Sequence, residues 1–327
     1  MGALGTTADN LLINGRFLRT LWTRLAGTQE RAIVPCPVWA QTFAADRWRV
    51  RYAAPAGGEV SQTRSPEVPD DESVESSLEI RGGVAVEQAV LVGQNVEADE
   101  APNYRRPLRF SAWVLAEHPR QGECDISLVM GSPTSAGLFD SSTETVLRHS
   151  LDQVRVNRWT RLEYSFDAAE FRNTGLRVEV EIPAEFLNEP RARVRLANVR
   201  LSRITSGGYS DRPVAVETFL AERFYQRYDG ARINAIGRAL ASNPHELYFQ
   251  LLFPEMRATP ACSLSQDNAD LCVFSTEGVP QAGFAYDVNY SARGSVMIRA
   301  TKLRHQIRDG YLAFRGYRGA ITLEAEL

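Results

Sequence analysis

In Asp46-Arg-Trp-Arg-Val-Arg-Tyr52, apolar and arginine side chains alternate one for one. Trp48, Val50 and Tyr52 then share one face, and Arg47, Arg49 and Arg51 the other. A helix cannot sort residues with a period of two. An extended strand with one face in a core can. The pattern returns in Leu108–Val114, where Leu108, Phe110, Ala112 and Val114 point inward. It returns again in Thr160–Phe166, with Leu162, Tyr164 and Phe166 set against Arg161, Glu163 and Ser165. Leu176–Ile182 alternates Val178, Val180 and Ile182 with Arg177, Glu179 and Glu181. Further strands are expected at Ser77–Ile80, Ala85–Val92, Ile126–Met130 and Arg193–Arg203. In the C-terminal third they are expected at Leu247–Phe253, Cys262–Ser265, Ala282–Tyr290, Ser295–Ala300 and Leu312–Leu323. Many alternating segments and almost no helical ones predict an all-β fold of two β-sandwich, jelly-roll-like domains.

One segment breaks the rule. From Pro213 to Tyr228, the residues Val216, Phe219, Leu220, Phe224 and Tyr228 recur at helical spacing, with Ser210 or Asp211 as cap and Asp229-Gly230 as stop. Ser206-Gly-Gly208 before it reads as a hinge. The predicted organisation is a flexible segment over 1–9, a first sandwich over 10–206, hinge and connecting helix over 207–229, and a second sandwich over 230–327. Ala53–Ser73 and Ser132–Ser142 are rich in small residues and lack periodicity, so both read as loops, the first a mobile one.

Net charge is −3 over 327 residues, which speaks against a nucleic-acid partner. Lys302 is the single lysine among 37 cationic residues. No run of 18 apolar residues occurs, so no membrane insertion is expected. Met1–Asn10 has neither a charged nor an apolar leader region, which predicts synthesis in the cytoplasm without a signal peptide. Cys36, Cys124, Cys262 and Cys272 form no C-x-x-C pair, so no zinc site is expected. A Cys262–Cys272 disulfide and four reduced thiols both remain open.

Catalytic signatures are missing. His245-Glu246 opens like H-E-x-x-H, but Phe249 stands where the second histidine belongs. There is no nucleophile elbow, Walker loop or dinucleotide fingerprint, so the expectation is a non-enzymatic protein without cofactor or metal.

Several short segments, in order, resemble phage tail-fibre and related host-adsorption spike proteins of phages or gene transfer agents. Asn10-Leu-Leu-Ile-Asn-Gly-Arg-Phe17 resembles their "N-L-L-x-N-G-x-F" opening, and Phe43-Ala-Ala-Asp-Arg-Trp48 their "ADRW" step. Leu108–Ala116, Asn157–Leu162 and Leu196–Val199 resemble three of their strands. Ala221–Tyr228 is similar to "C-Q-R-Y-Y", Phe253–Pro260 to "F-P-x-x-M-R-A-x-P", and Leu323–Leu327 to their "A-E-L" end. The departures are Leu21-Trp-Thr-Arg24 in place of an aromatic-rich "W-Q-R-G", and Glu222 in place of the helix cysteine. Leu18 stands where carbohydrate-binding jelly rolls often carry a calcium-ligating Glu, which leaves a structural calcium open. The resemblance implies a carbohydrate-binding-module-like jelly roll followed by a receptor-binding β-domain. It also implies a place on a virion surface, fibre, spike, capsid or tail proteins as partners, and a homo-oligomer, with a trimer as the analogy's guess.

A sugar site wants exposed aromatic faces for stacking on C–H surfaces, with Arg, Asn and Asp for hydroxyls. Alternation places Tyr311, Arg315 and Tyr317 on one face of their segment, a candidate ligand surface or an ordinary solvated sheet. Tyr286, Val288 and Tyr290 share a face that reads as core. Trp22 and Trp39 lie in irregular segments, as stacking platforms or buried under the sandwich edge. Trp113 points opposite to the inward set of its strand, while Trp48 and Trp159 read as core. The stripe Arg47, Arg49, Arg51 can meet an anionic capsule or serve cross-strand salt bridges. Three functions follow: a binder of bacterial surface polysaccharide (capsule or lipopolysaccharide), a structural connector that binds no glycan, and a polysaccharide depolymerase.

Overall fold

The computed structural model describes residues 10–24, 34–36, 42–43, 45–53, 59–70, 74–98, 107–136, 138–139, 143–151, 154–169, 171–204, 211–229, 235–243, 245–264, 271–275, 280–281, 284–301, 310–314 and 319–325. The fold is all-β. The chain forms two compact units that divide between Thr218 and Phe219.

The first unit contains β1 (Val34–Cys36), β2 (Thr42–Phe43), β3 (Arg49–Tyr52), β4 (Val60–Ser65), β5 (Ser77–Arg81), β6 (Val90–Val96) and β7 (Leu108–Glu117). After these come β8 (Glu123–Cys124), β9 (Ser127–Ser132), β10 (Glu144–Ser150), β11 (Val154–Arg155), β12 (Thr160–Phe166), β13 (Leu176–Ile182), the short helix α1 (Ala184–Leu187) and β14 (Arg193–Arg203). Two six-stranded antiparallel sheets result, ordered β1-β4-β5-β14-β7-β12 and β10-β9-β13-β6-β3-β2, with β8 and β11 as a separate pair. Leu108, Phe110, Ala112 and Val114 of β7 are buried, as their alternation predicts. They join Val50, Val92, Leu128, Val178 and Val180 of the opposite sheet in one continuous core, which makes the unit a sandwich.

The opening segment plugs this sandwich. Asn14, with φ 56, accepts from Leu18 N at 2.9 Å and from the Trp48 indole N–H at 2.9 Å, and donates to Leu21 O and Asp46 O. Asn10 Oδ1 accepts from Leu12 N and Leu201 N, which ties the segment to β14. A side chain at Gly15 would collide with Val199 O, so this position requires glycine. Phe17 is fully buried against Trp48, their ring centroids 5.0 Å apart. The Asn10–Phe17 segment thus performs a packing task in this chain.

α2 (Val214–Glu222) starts as expected but stops six residues early. Tyr225–Asp229 is a strand, β15, rather than the helix's last turn. Aromatic residues favour extended backbone, and a pairing partner waits at 320–324. Phe219, expected on the buried face, is 56% exposed. A second difference lies at 53–73, where Val60–Ser65 is an interior strand of the first sheet rather than part of a mobile loop. Its buried positions, Val60, Gln62, Thr63 and Ser65, are mostly polar, so hydrophobic alternation could not reveal it. The hinge glycines lie outside the described residues.

The second unit adds β16 (Ala235–Asn243), β17 (Glu246–Leu252), β18 (Ala261–Leu264), β19 (Leu271–Ser275), β20 (Pro280–Gln281), β21 (Ala285–Ala292), β22 (Ser295–Thr301), β23 (Gly310–Phe314) and β24 (Ala320–Glu324). Three strands pair as β15-β24-β18 and seven as β20-β19-β23-β16-β17-β22-β21. Leu247, Phe249, Val296, Ile298, Leu312, Ile321 and Leu323 form its core. Cys262 and Cys272 are free thiols on strands of different sheets, so the hairpin disulfide does not form. Burial pushes Cys262 up to about 11 and Cys124 up to about 12, which makes both thiols poor nucleophiles.

Candidate functional site

On the outer face of the first sheet, β7 presents Trp113, which pairs across the sheet with Arg161 of β12 and with Ala197 of β14. Trp159, which immediately precedes β12, lines the same groove as Trp113. Both indoles are half-buried. They line a groove of about 700 Å³ with Pro69, Asp70, Arg155, Asn157, Arg158, Thr160 and Arg161.

Each wall is fixed by its local sequence. The turn from β11 into β12 carries Asn157 at φ 64, a left-handed conformation that asparagine tolerates better than branched residues. Val156 N donates to Gly122 O at 2.9 Å and Asn157 N to Ala116 O at 2.7 Å, which pins the turn to the end of β7. Arg155 and Arg158 project from that turn and are exposed. The opposite wall, Pro69–Asp70, is held through its neighbour Glu67. The Glu67 carbonyl accepts from Ser77 Oγ at 2.6 Å, and its carboxylate reaches Arg195 at 3.1 Å. Arg195 is buried and also meets Glu79 at 2.7 Å and Glu117 at 2.8 Å. Burial alone would raise the Glu79 carboxyl, but hydrogen bonds and charge from Arg81 and Arg195 hold it below the usual carboxylate range. This ion cluster makes the outer face of the sheet a rigid mount.

The groove can stack planar apolar faces on two indoles and donate several guanidinium hydrogen bonds around them. Among the described residues that line it, Asp70 is the one carboxylate. Glycoside hydrolysis ordinarily needs a pair about 5–9.5 Å apart.

The structure brings only Trp113 of the sequence candidates into this groove. Trp159, expected in the core, is its second ring. Trp22 is 5% exposed and donates its indole N–H to Phe17 O, so it is core and not a stacking platform. The arginine stripe is no open surface either. Arg47 has φ 73, lies outside β3, and donates to Asn95 O at 2.5 Å. Arg49 and Arg51 both bind the buried Glu179, at 2.9 and 2.7 Å. Burial lowers the Arg49 guanidinium to about 10 despite the Glu179 charge. Tyr311 is half-buried and stacks on Phe274, centroids 5.3 Å apart. Trp39, Arg315 and Tyr317 lie outside the described residues. Tyr286 and Val288 pack on the second core, whereas Tyr290 is 61% exposed, because a register shift between Val288 and Tyr290 turns it off their face.

Asp70, Arg155, Asn157, Arg158 and Arg161 entered no sequence-based site. The available signal was the outward parity of Trp113 and Arg161 on neighbouring strands. Their pairing could not be known without the register.

No protein-family model and no curated protein matches the chain. Among solved structures it is similar to the CBM22-1–GH10 modules of Clostridium thermocellum endo-1,4-beta-D-xylanase 10B complexed with xylohexaose, at 9% identity over 51% of this chain and 28% of that one, with a TM-score of 0.32. It is similar to the CBM22-1 xylan-binding domain of Paenibacillus barcinonensis Xyn10C, at 11% identity over 55% of this chain and 100% of that one, TM-score 0.32. The tandem CBM22-1–CBM22-2 domain of the same protein aligns at 10% identity over 92% of this chain and 100% of that one, TM-score 0.32. The chain spans little more than a quarter of the xylanase modules' length. Likeness at this level says nothing of ligand or activity, so a functional reading rests on the groove itself.

Proposed function

We propose that the first unit is a non-catalytic polysaccharide-binding module, carried by a fibre or spike protein that adsorbs a phage or gene-transfer-agent particle to bacterial capsule or lipopolysaccharide. The observation that carries the binding reading is the groove in which Trp113 and Trp159 present half-buried indoles among three arginines, Asn157 and Asp70. Half-buried tryptophan keeps apolar surface in water, a cost that a stacking ligand relieves. Among the described lining residues Asp70 is the one carboxylate, which supports binding without hydrolysis. The particle setting rests on the ordered resemblance from Asn10 to Leu327. A fibre that presents several copies would multiply a weak single-site affinity by about 10²–10⁴.

The test compares binding of the purified chain to capsulated cells and to isogenic capsule-free cells, with released reducing ends assayed in parallel. Capsule-dependent binding without release, lost in Trp113→Ala, is the expected result. Binding to neither cell type would displace the adhesin reading in favour of the connector, and steady release of reducing ends would make the protein a depolymerase.

A further inference from the structure

We infer that the groove selects an acidic polysaccharide, one bearing carboxylate or phosphate groups, over a neutral one. This rests on the polysaccharide-binding reading and narrows it to a ligand class.

The reason is an imbalance of charge among the described lining residues. Of its three arginines, Arg161 is matched by Glu163 at 2.7 Å. Arg155 and Arg158, both exposed, form no salt bridge with a described residue, although Glu123 stands opposite Arg155 where β8 pairs with β11. Many arginines on the same unit are matched. Arg195 has three carboxylates, Arg49 and Arg51 share Glu179, Arg148 meets Glu181 at 2.9 Å, and Arg172 meets Glu144 at 2.8 Å. Arg109, Arg193 and Arg203 of the same unit likewise form no salt bridge with a described residue, so what sets Arg155 and Arg158 apart is their place in one groove. Here two flank one turn beside two stacking rings.

A guanidinium only donates hydrogen bonds. A sugar hydroxyl satisfies it with one lone pair while bringing a donor of its own. A carboxylate or phosphate only accepts, in the planar spacing that the guanidinium fork matches, and such charge-assisted bonds are about twice as strong as neutral ones. The turn is pre-set for this role by the left-handed Asn157 and its two backbone hydrogen bonds, so little order must be imposed on binding. A single-stranded nucleic acid is also anionic and also stacks. Asp70 in the facing wall favours the glycan, because it accepts from sugar hydroxyls and repels a continuous phosphodiester backbone.

The experiment titrates the full chain calorimetrically, at low salt, with polygalacturonate, alginate and hyaluronan. Fully methyl-esterified polygalacturonate, neutral xylan and oligothymidylate complete the set. At least one acidic polymer should bind about tenfold or more tightly than the neutral ones, with the advantage shrinking as salt rises. The Arg155→Gln/Arg158→Gln variant, both sites exposed and its fold checked by circular dichroism, should bring that polymer down to the affinity of the neutral set. Trp113→Ala should weaken both classes. Equal binding of acidic and neutral polymers would overturn acid selection and leave the polysaccharide reading standing. Binding of no polysaccharide would overturn both. Oligothymidylate outcompeting every acidic polysaccharide would reassign the groove to nucleic acid.

Discussion

Trp48 and Trp113 share a side chain and differ in what surrounds it. Trp48 is 1% exposed and donates its indole N–H to Asn14 O, so Trp48→Ala should cost about 3–5 kcal/mol through the cavity it opens, read as a lowered urea midpoint. Trp113 is half-buried on an outer face. Trp113→Ala or Trp159→Ala should lower that midpoint clearly less than Trp48→Ala does and weaken polysaccharide binding at least about tenfold, equivalent to about 1.4 kcal/mol. If either ring variant loses stability as Trp48→Ala does, the groove is packing and not a site. Glu179 is a different case, because it neutralises Arg49 and Arg51 while 1% exposed. Glu179→Gln leaves the buried Arg49 without its counter-charge and should destabilise the first unit by about 3–5 kcal/mol. Asp46–Tyr52 shows what alternation can and cannot say about such residues. It correctly put Trp48, Val50 and Tyr52 inside. It could not show that the opposite face was also covered, since Glu179 lies 130 positions from Arg49 in sequence.

At the scale of elements, strands were legible wherever one face was apolar and the other charged. β7, β12 and β13 keep their apolar sets in the core, and the expected bounds Arg193–Arg203 are those of β14, although a register shift between Ala197 and Arg200 breaks its alternation. β4 escaped because Gln62 and Thr63 occupy buried positions. β16 escaped because Ala235–Asn243 is small and mixed, with no clear inward set. The helix overran because Phe224 and Tyr228 happen to stand four apart, a spacing that an alternating strand also allows. Sequence alone could not assign 225–229, since its partner arrives almost 100 residues later. That partner, β24, is the central strand of its sheet, hydrogen-bonded to β15 on one side and β18 on the other. A chain ended after Gly319 therefore leaves two strands unpaired and removes Ile321 and Leu323 from the second core. Such a truncation should abolish the second unit's cooperative unfolding in calorimetry while the first unit's transition persists. Retention of both transitions would show that β24 is dispensable.

Because the chain divides into two units with separate cores, two unfolding transitions are expected, and acid should not move them equally. Glu79 and Glu179 both belong to the first unit. For each carboxyl, burial raises the affinity for a proton, but arginine neighbours outweigh it and hold the folded value below the ordinary one. The unfolded chain therefore binds protons more readily than the folded one at these positions. Their contribution to stability is fully present above the unfolded carboxylate value, about 4.3, and is lost as pH falls through the lower folded values. The first unit's transition should thus be flat between pH 7 and about 5 and drop steeply below about 4. Calorimetry of the full chain across that range checks this, with Glu179→Gln as the control. Having no carboxylate to protonate at 179, that variant should start lower at pH 7 and lose less on acidification. A wild-type transition insensitive to pH down to about 3 would mean that these ion clusters do not stabilise the sandwich. The mount beneath the groove would then owe its rigidity to apolar packing between the sheets, and acid would leave polysaccharide binding as intact as the fold.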